Sequence, residues 1–150
     1  MKYLLLIVSV FCLGLYVPAQ PKEHITWKYE AKKKADGVYK VTITATLEKG
    51  WHIYSQNTGK GGPVPTKITF KTNPLLTLDG VVLEQGKLEK VYDKSFKTEV
   101  SFFANKVQFV QVVKIKGNIK TNINTTVEYM ICNDEECLPP AKKVFDIKLS

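Results

Sequence analysis

The chain has 150 residues, 44% of them apolar, and a formal net charge of +8. That apolar content suits one domain with a genuine core and excludes a disordered chain. Every basic residue is lysine. The guanidinium fork that reads phosphates and guanine edges is therefore missing, the lysines are scattered, and nucleic-acid binding is set aside. The surplus charge is read as solubility and mild steering of partners.

The first twenty residues stand apart. One lysine, Lys2, precedes an apolar run that ends in Val17-Pro18-Ala19. This pattern predicts a secretory signal peptide over residues 1–19, cleaved after Ala19, and a single domain over 20–150. The run is short for a bilayer span, which disfavours the alternative of a membrane anchor. Cys12 lies inside it after Phe11, where a lipidated cysteine would follow a small residue, so lipidation is not expected. Nothing later in the chain is apolar enough for long enough to cross a membrane.

Beyond this segment the hydrophobic period is two. Val41–Leu47 sets Val41, Ile43, Ala45 and Leu47 on one face and threonines on the other, and Val107–Lys116 is a long β-branched run. Thr125–Ile131 and Val144–Leu149 alternate as well. Ile25–Ala31, Trp51–Ser55, Thr66–Lys71, Leu76–Glu84 and Phe96–Ala104 complete about nine strands. Turn chemistry separates them at Asp36-Gly37, Lys49-Gly50, Gly59–Pro65, Asn73-Pro74, Asp79-Gly80, Ala104-Asn105 and Gly117-Asn118. No ten-residue stretch makes a convincing amphipathic helix. Short strands at this spacing predict an all-β, immunoglobulin-like antiparallel sandwich, with a closed barrel as the alternative. Lys32–Lys34 reads as a solvated strand end. The sequon at Asn124 falls in a predicted strand and reads as chance.

Without the signal peptide, two cysteines remain, Cys132 and Cys137, with Asn133, Asp134, Glu135 and Glu136 between them and Leu138-Pro139-Pro140 after them. In an exported chain such a pair is expected to be bonded. Three roles are open. A zinc clip needs four ligands, and neither His24 nor His52 has ligand spacing to the cysteines, so no metal is expected. The histidines read as a surface residue and a half-buried strand residue. A structural staple closing a loop of about six residues contributes roughly 2 kcal/mol at best. A redox pair gains from the same placement, because neighbouring strand ends hold both sulfurs where another protein's thiolate can reach them. Asp134, Glu135 and Glu136 beside the sulfurs disfavour thiolate, which suits a mild reductant better than an aggressive oxidant. Pro139 and Pro140 withhold two N–H groups and make a rigid exit from the site.

These residues carry a resemblance. Cys132–Cys137 followed by Leu-Pro-Pro and a short terminal strand is similar to the end of the periplasmic N-terminal domain of the thiol:disulfide interchange protein DsbD family. Gly50-Trp51-His52-Ile53-Tyr54-Ser55 resembles that family's aromatic strand, and Leu88–Ser95 resembles the segment that caps its disulfide. The resemblance runs from about Lys22 to Ser150. It implies an immunoglobulin-like domain in the periplasm, working without a cofactor as a protein-disulfide reductase or interchange component. Such domains carry electrons from thioredoxin-like proteins, fed by a membrane electron conductor, to oxidised periplasmic substrates such as disulfide isomerases and cytochrome-maturation thioredoxins. By the same resemblance Cys137 is the attacking cysteine and Cys132 the resolving one. Trp51 and Tyr54 line the site, and Val91 and Tyr92 form the cap tip. Two departures stand out: the cysteine spacing is one residue shorter than in the best-known members, and the cap tip is less aromatic. The conductor and the C-terminal thioredoxin-like domain do not follow in this sequence, so separate proteins are expected to supply the electrons. A monomer is expected. The alternative from another class is a non-catalytic secreted binding module with a structural disulfide, its binding loop formed by Asn57-Thr58 and Gly59–Pro63.

Overall fold

A computed structural model describes residues 23–117 and 119–149. The expected signal peptide and Cys12 lie outside the described residues. Nine strands follow in chain order: β1 (Ile25–Ala35), β2 (Val38–Leu47), β3 (His52–Tyr54), β4 (Lys67–Phe70), β5 (Leu76–Asp93), β6 (Thr98–Ile115), β7 (Thr121–Tyr129), β8 (Ile131–Cys132) and β9 (Ala141–Leu149). All pairings are antiparallel. Among the described residues no helix is long and apolar enough to cross a membrane.

Two sheets form an immunoglobulin-like sandwich. The larger runs β1-β2-β6-β3-β8 with β5 also on β6; the smaller runs β4-β7-β9. The alternation seen in the sequence does the sorting. Val41, Ile43, Ala45 and Phe109 from the large sheet meet Ile123, Val127, Ile147 and Leu149 from the small one in a single buried cluster. On β1, β7 and β9 the alternate residues face water for the most part, as the pleat requires, whereas Thr42 and Val110 on the outer face of the large sheet are also buried.

β6 organises the large sheet. Lys106–Lys114 pair with β2, whereas Phe102–Ala104 pair with β3. The partner changes at Asn105, which adopts φ 62°. Asn tolerates this left-handed geometry better than most residues. The Ala104-Asn105 turn expected from sequence is therefore a kink inside one continuous strand.

β5 runs along the opposite edge of β6. Its register shifts between Asp79 and Leu83 and between Gly86 and Leu88. Gly80 has φ 72°, and the buried Gln111 donates through Nε2 to the Asp79 carbonyl at 2.9 Å. Asp79-Gly80 is thus a bulge within a strand, not the turn expected. The strand predicted to stop at Glu84 continues to Asp93, so the expected cap segment Leu88–Ser95 is the far end of β5 and its turn into β6. β7 is likewise displaced from its predicted range: it ends at Tyr129, and Ile131-Cys132 forms a separate short strand.

Candidate functional site

At one end of the large sheet the outward face is built by the same period-two rule. Trp51 and Ile53 belong to the main core, while Tyr54 joins a second small cluster with Val100, Met130 and Cys132, backed by Phe96 and Phe102. Cα pairing sets Tyr54 opposite Phe102 and His52 opposite both Ala104 and Cys132. Cys132 in turn bridges to Cys137. A transverse row therefore reads Cys137, Cys132, His52, Ala104, with Tyr54 and Phe102 in the next row. Paired residues project from the same face.

Cys132 and Cys137 are joined by a disulfide, their Cα atoms 4.0 Å apart. The hairpin between them holds itself. Asn133 Oδ1 accepts from the Glu135 N–H at 2.8 Å and the Glu136 N–H at 2.7 Å. The Asn133 N–H donates to the Glu136 carbonyl at 2.9 Å, and the Leu138 N–H to the Ile131 carbonyl at 3.0 Å. Self-bonding of this kind is what Asn does in tight turns. The two sulfurs are not equivalent: Cys132 is 1% exposed, whereas Cys137 is an exposed residue.

A groove of about 810 Å³ opens beside the bond. One wall is the disulfide hairpin with Asp134, Glu135 and Glu136. The other is the β5–β6 turn with Val91, Tyr92, Asp93, Lys94, Ser95 and Phe96. The floor is His52, Tyr54, Phe102 and Ala104. Asp93 Oδ1 shapes the turn by accepting from the N–H groups of Ser95 at 2.7 Å and Phe96 at 3.2 Å. Phe96 packs edge-on against Tyr54, ring centroids 6.5 Å apart.

Cys137, Cys132, Tyr54, Val91, Tyr92, Trp51, Asp134, Glu135 and Glu136 all line this groove. Val91 and Tyr92 remain 44% and 67% exposed. It is Phe96, not they, that packs against the aromatic floor. Trp51 contributes only at the margin, since its ring stacks on His24 at 4.1 Å and belongs to the main core. Three positions were missed: His52, Phe96 and Phe102. The signal for His52 was present in the alternation of Gly50–Tyr54, because residues two apart share a face and residues three apart do not. The proposed binding loop is tied down. The Ser101 N–H donates to Thr58 Oγ1, the Ser55 N–H donates to the Ser101 carbonyl, and a Cβ at Gly59 would stand 2.5 Å from the Glu99 carbonyl oxygen.

The electrostatics are those of a half-dry pocket. Burial pushes His52 below its ordinary range, and the negative charges of Asp134, Asp93 and Glu89 pull it partly back. Burial raises the Tyr54 phenol to about 12, with Asp93 adding to the shift. The phenol therefore stays protonated, and its oxygen lies 3.2 Å from His52 Nε2.

A small antiparallel sandwich with a half-exposed disulfide facing an aromatic groove defines the class. The sequence matches the family described as "Thiol:disulfide interchange protein DsbD, N-terminal" over residues 18–149, and the chain belongs to that family. Its fold is similar to the reduced DsbD N-terminal domain of Neisseria meningitidis, with TM-score 0.52, 18% identity and coverage of 79% of this chain and 82% of that one. It is also similar to the structure of the complex between the DsbD N-terminal and PilB N-terminal domains from the same organism. There the TM-score is 0.51, the identity 16% and the coverage 80% of each chain. The N-terminal periplasmic domain of ScsB from Proteus mirabilis matches with TM-score 0.59 and 17% identity, over 85% of this chain and 47% of that one. Among curated proteins none matches significantly.

Proposed function

We propose that this chain is a periplasmic thiol–disulfide exchange domain that works as a monomer through Cys132 and Cys137. A thiolate of a thioredoxin-like donor, itself supplied by a separate membrane conductor, attacks the bond. A mixed disulfide forms, and the donor's second cysteine resolves it. The reduced pair then attacks an oxidised substrate protein through Cys137, and Cys132 closes the cycle. The exchange needs no cofactor. Val91, Tyr92 and Phe96 shield the bond from passing thiols, and Asp134, Glu135 and Glu136 disfavour the Cys137 thiolate until a partner docks.

The observation that carries this reading is the asymmetry of the pair. One sulfur belongs to an exposed residue beside an open groove, and the other is buried behind it. That is the arrangement an attacking and a resolving cysteine require.

The test mixes the reduced chain with an oxidised thioredoxin-like protein and follows mixed disulfides on non-reducing gels. Cys132→Ser is expected to trap the intermediate, and Cys137→Ser is expected to give little or none. A disulfide that resists reduced thioredoxin until the domain unfolds would overturn the proposal and leave a structural bond.

A further inference from the structure

The exchange reading leaves one chemical step without an agent. Cys132 must lose a proton to resolve a mixed disulfide, yet it is 1% exposed, and burial in apolar surroundings raises a thiol's pKa. Solvent reaches the exposed Cys137; it does not reach a thiol packed among Tyr54, Val100 and Met130.

We propose that His52 is the proton acceptor for the Cys132 thiol in that step. The proposal rests on the exchange reading above and adds a residue to it. His52 and Cys132 are cross-strand partners in the β3–β8 ladder, which places their Cβ atoms about 5 Å apart on one face. Both line the same groove, and the residue on the far side of His52 in the row is the small Ala104.

Tyr54 fits His52 for both protonation states. Its hydroxyl donates to Nε2 of the neutral ring, or turns and accepts from Nε2–H of the imidazolium. The charged groups facing the ring are Asp134 from the disulfide hairpin and Glu89 and Asp93 from β5. Lys94, Glu135 and Glu136 stand on the same groove. From β3 the neighbour is Tyr54, and β6 contributes only uncharged Phe102 and Ala104. Burial keeps the imidazole neutral near pH 7, ready to accept, while the carboxylates stabilise the cation once formed.

The step balances. In the mixed disulfide, Cys137 is bonded to a substrate sulfur, and the substrate's other cysteine has already left and taken a proton. The Cys132 proton passes to the unprotonated ring nitrogen of His52, and the Tyr54 hydroxyl accepts from Nε2–H of the imidazolium. The Cys132 thiolate attacks Cys137 Sγ, the Cys132–Cys137 bond forms, and the bond to the substrate breaks. The departing substrate thiolate takes the proton from the imidazolium. Two electrons and two protons have moved from the dithiol to the substrate's disulfide.

The test uses the reduced mature chain and an aromatic disulfide, dithiobis-nitrobenzoate, whose leaving thiolate is coloured. Attack by Cys137 releases one coloured thiolate, and resolution by Cys132 releases the second, so stopped-flow absorbance separates the steps. Cys132→Ser is expected to show the first phase alone. In the wild type the second phase is expected to be nearly flat between about pH 7 and pH 8, and to fall at lower pH as His52 protonates. His52→Gln is expected to lower the ratio of second-phase to first-phase rate about tenfold or more near pH 7. Its second-phase rate should then climb about tenfold per pH unit, as unaided thiol ionisation does. His52→Tyr, which keeps a ring that packs but removes the base, is expected to behave as His52→Gln. In His52→Ala, added imidazole is expected to restore the rate. A second phase of unchanged rate and pH profile in both His52→Gln and His52→Tyr overturns the role of His52 and leaves the exchange reading standing. Absence of the first phase from the wild type overturns the exchange reading, and this proposal with it.

Discussion

At the scale of single residues, the site shows what a linear sequence exposes and what it hides. The cysteines, the carboxylates and the proline pair announce themselves, because their chemistry is carried in adjacent positions. His52, Phe96 and Phe102 do not. Each matters through a neighbour from another strand: the alternation of Gly50–Tyr54 puts His52 on the face of Tyr54, but only the pairing with β8 brings that face to the sulfurs. Two predictions belong here. Phe96→Ala is expected to lower stability by about 1–2 kcal/mol, because a half-buried phenyl ring leaves the small cluster. It should also speed reduction of the disulfide by dithiothreitol several-fold, read by thiol titration against the wild type. The second concerns pH. His52 binds its proton less readily in the folded chain than unfolded. Its contribution to stability is therefore fully present above the unfolded value, near 6.5, and declines as pH falls toward the folded one. Tyr54 has the opposite sign. Its contribution is present below about 10 and is lost as pH rises toward 12. Urea midpoints for His52→Gln should lose the acid-side slope, and those for Tyr54→Phe the alkaline one.

At the scale of elements, strand existence was legible and strand continuity was not. The alternation in Val41–Leu47 and Val107–Lys116 gives away their buried faces, because one side of each must meet the other sheet. The glycine and asparagine at Asp79-Gly80 and Ala104-Asn105 look like turns, since bulge and turn demand the same left-handed backbone. Only the partner strand decides between them, and β6 supplies it. The disulfide hairpin is the element to test. Asn133→Ala removes an acceptor for two backbone N–H groups and should loosen the ends of the loop. The expected cost is about 1 kcal/mol of preference for the closed bond, which corresponds to a reduction potential higher by ~20 mV. Equilibration with glutathione mixtures measures it, and an unchanged potential would show that the loop closes without Asn133.

At the scale of the whole molecule, the sandwich carries its stability in the layer between the sheets and not in its sulfur bond. Period two predicted that layer, while the order β1-β2-β6-β3-β8 follows from long-range pairing that no local pattern encodes. Reducing the disulfide is expected to cost roughly 2 kcal/mol or less, a drop in Tm below about 10 °C. Phe109→Ala, which opens the main core, is expected to cost about 3–5 kcal/mol. Calorimetry of both against the oxidised wild type checks the ranking. The self-bonded Asn133 turn carries the last consequence. Because its amide contacts owe nothing to sulfur, the hairpin is expected to keep its turn when the bond opens, so that a docking protein would meet nearly the same contour in either redox state.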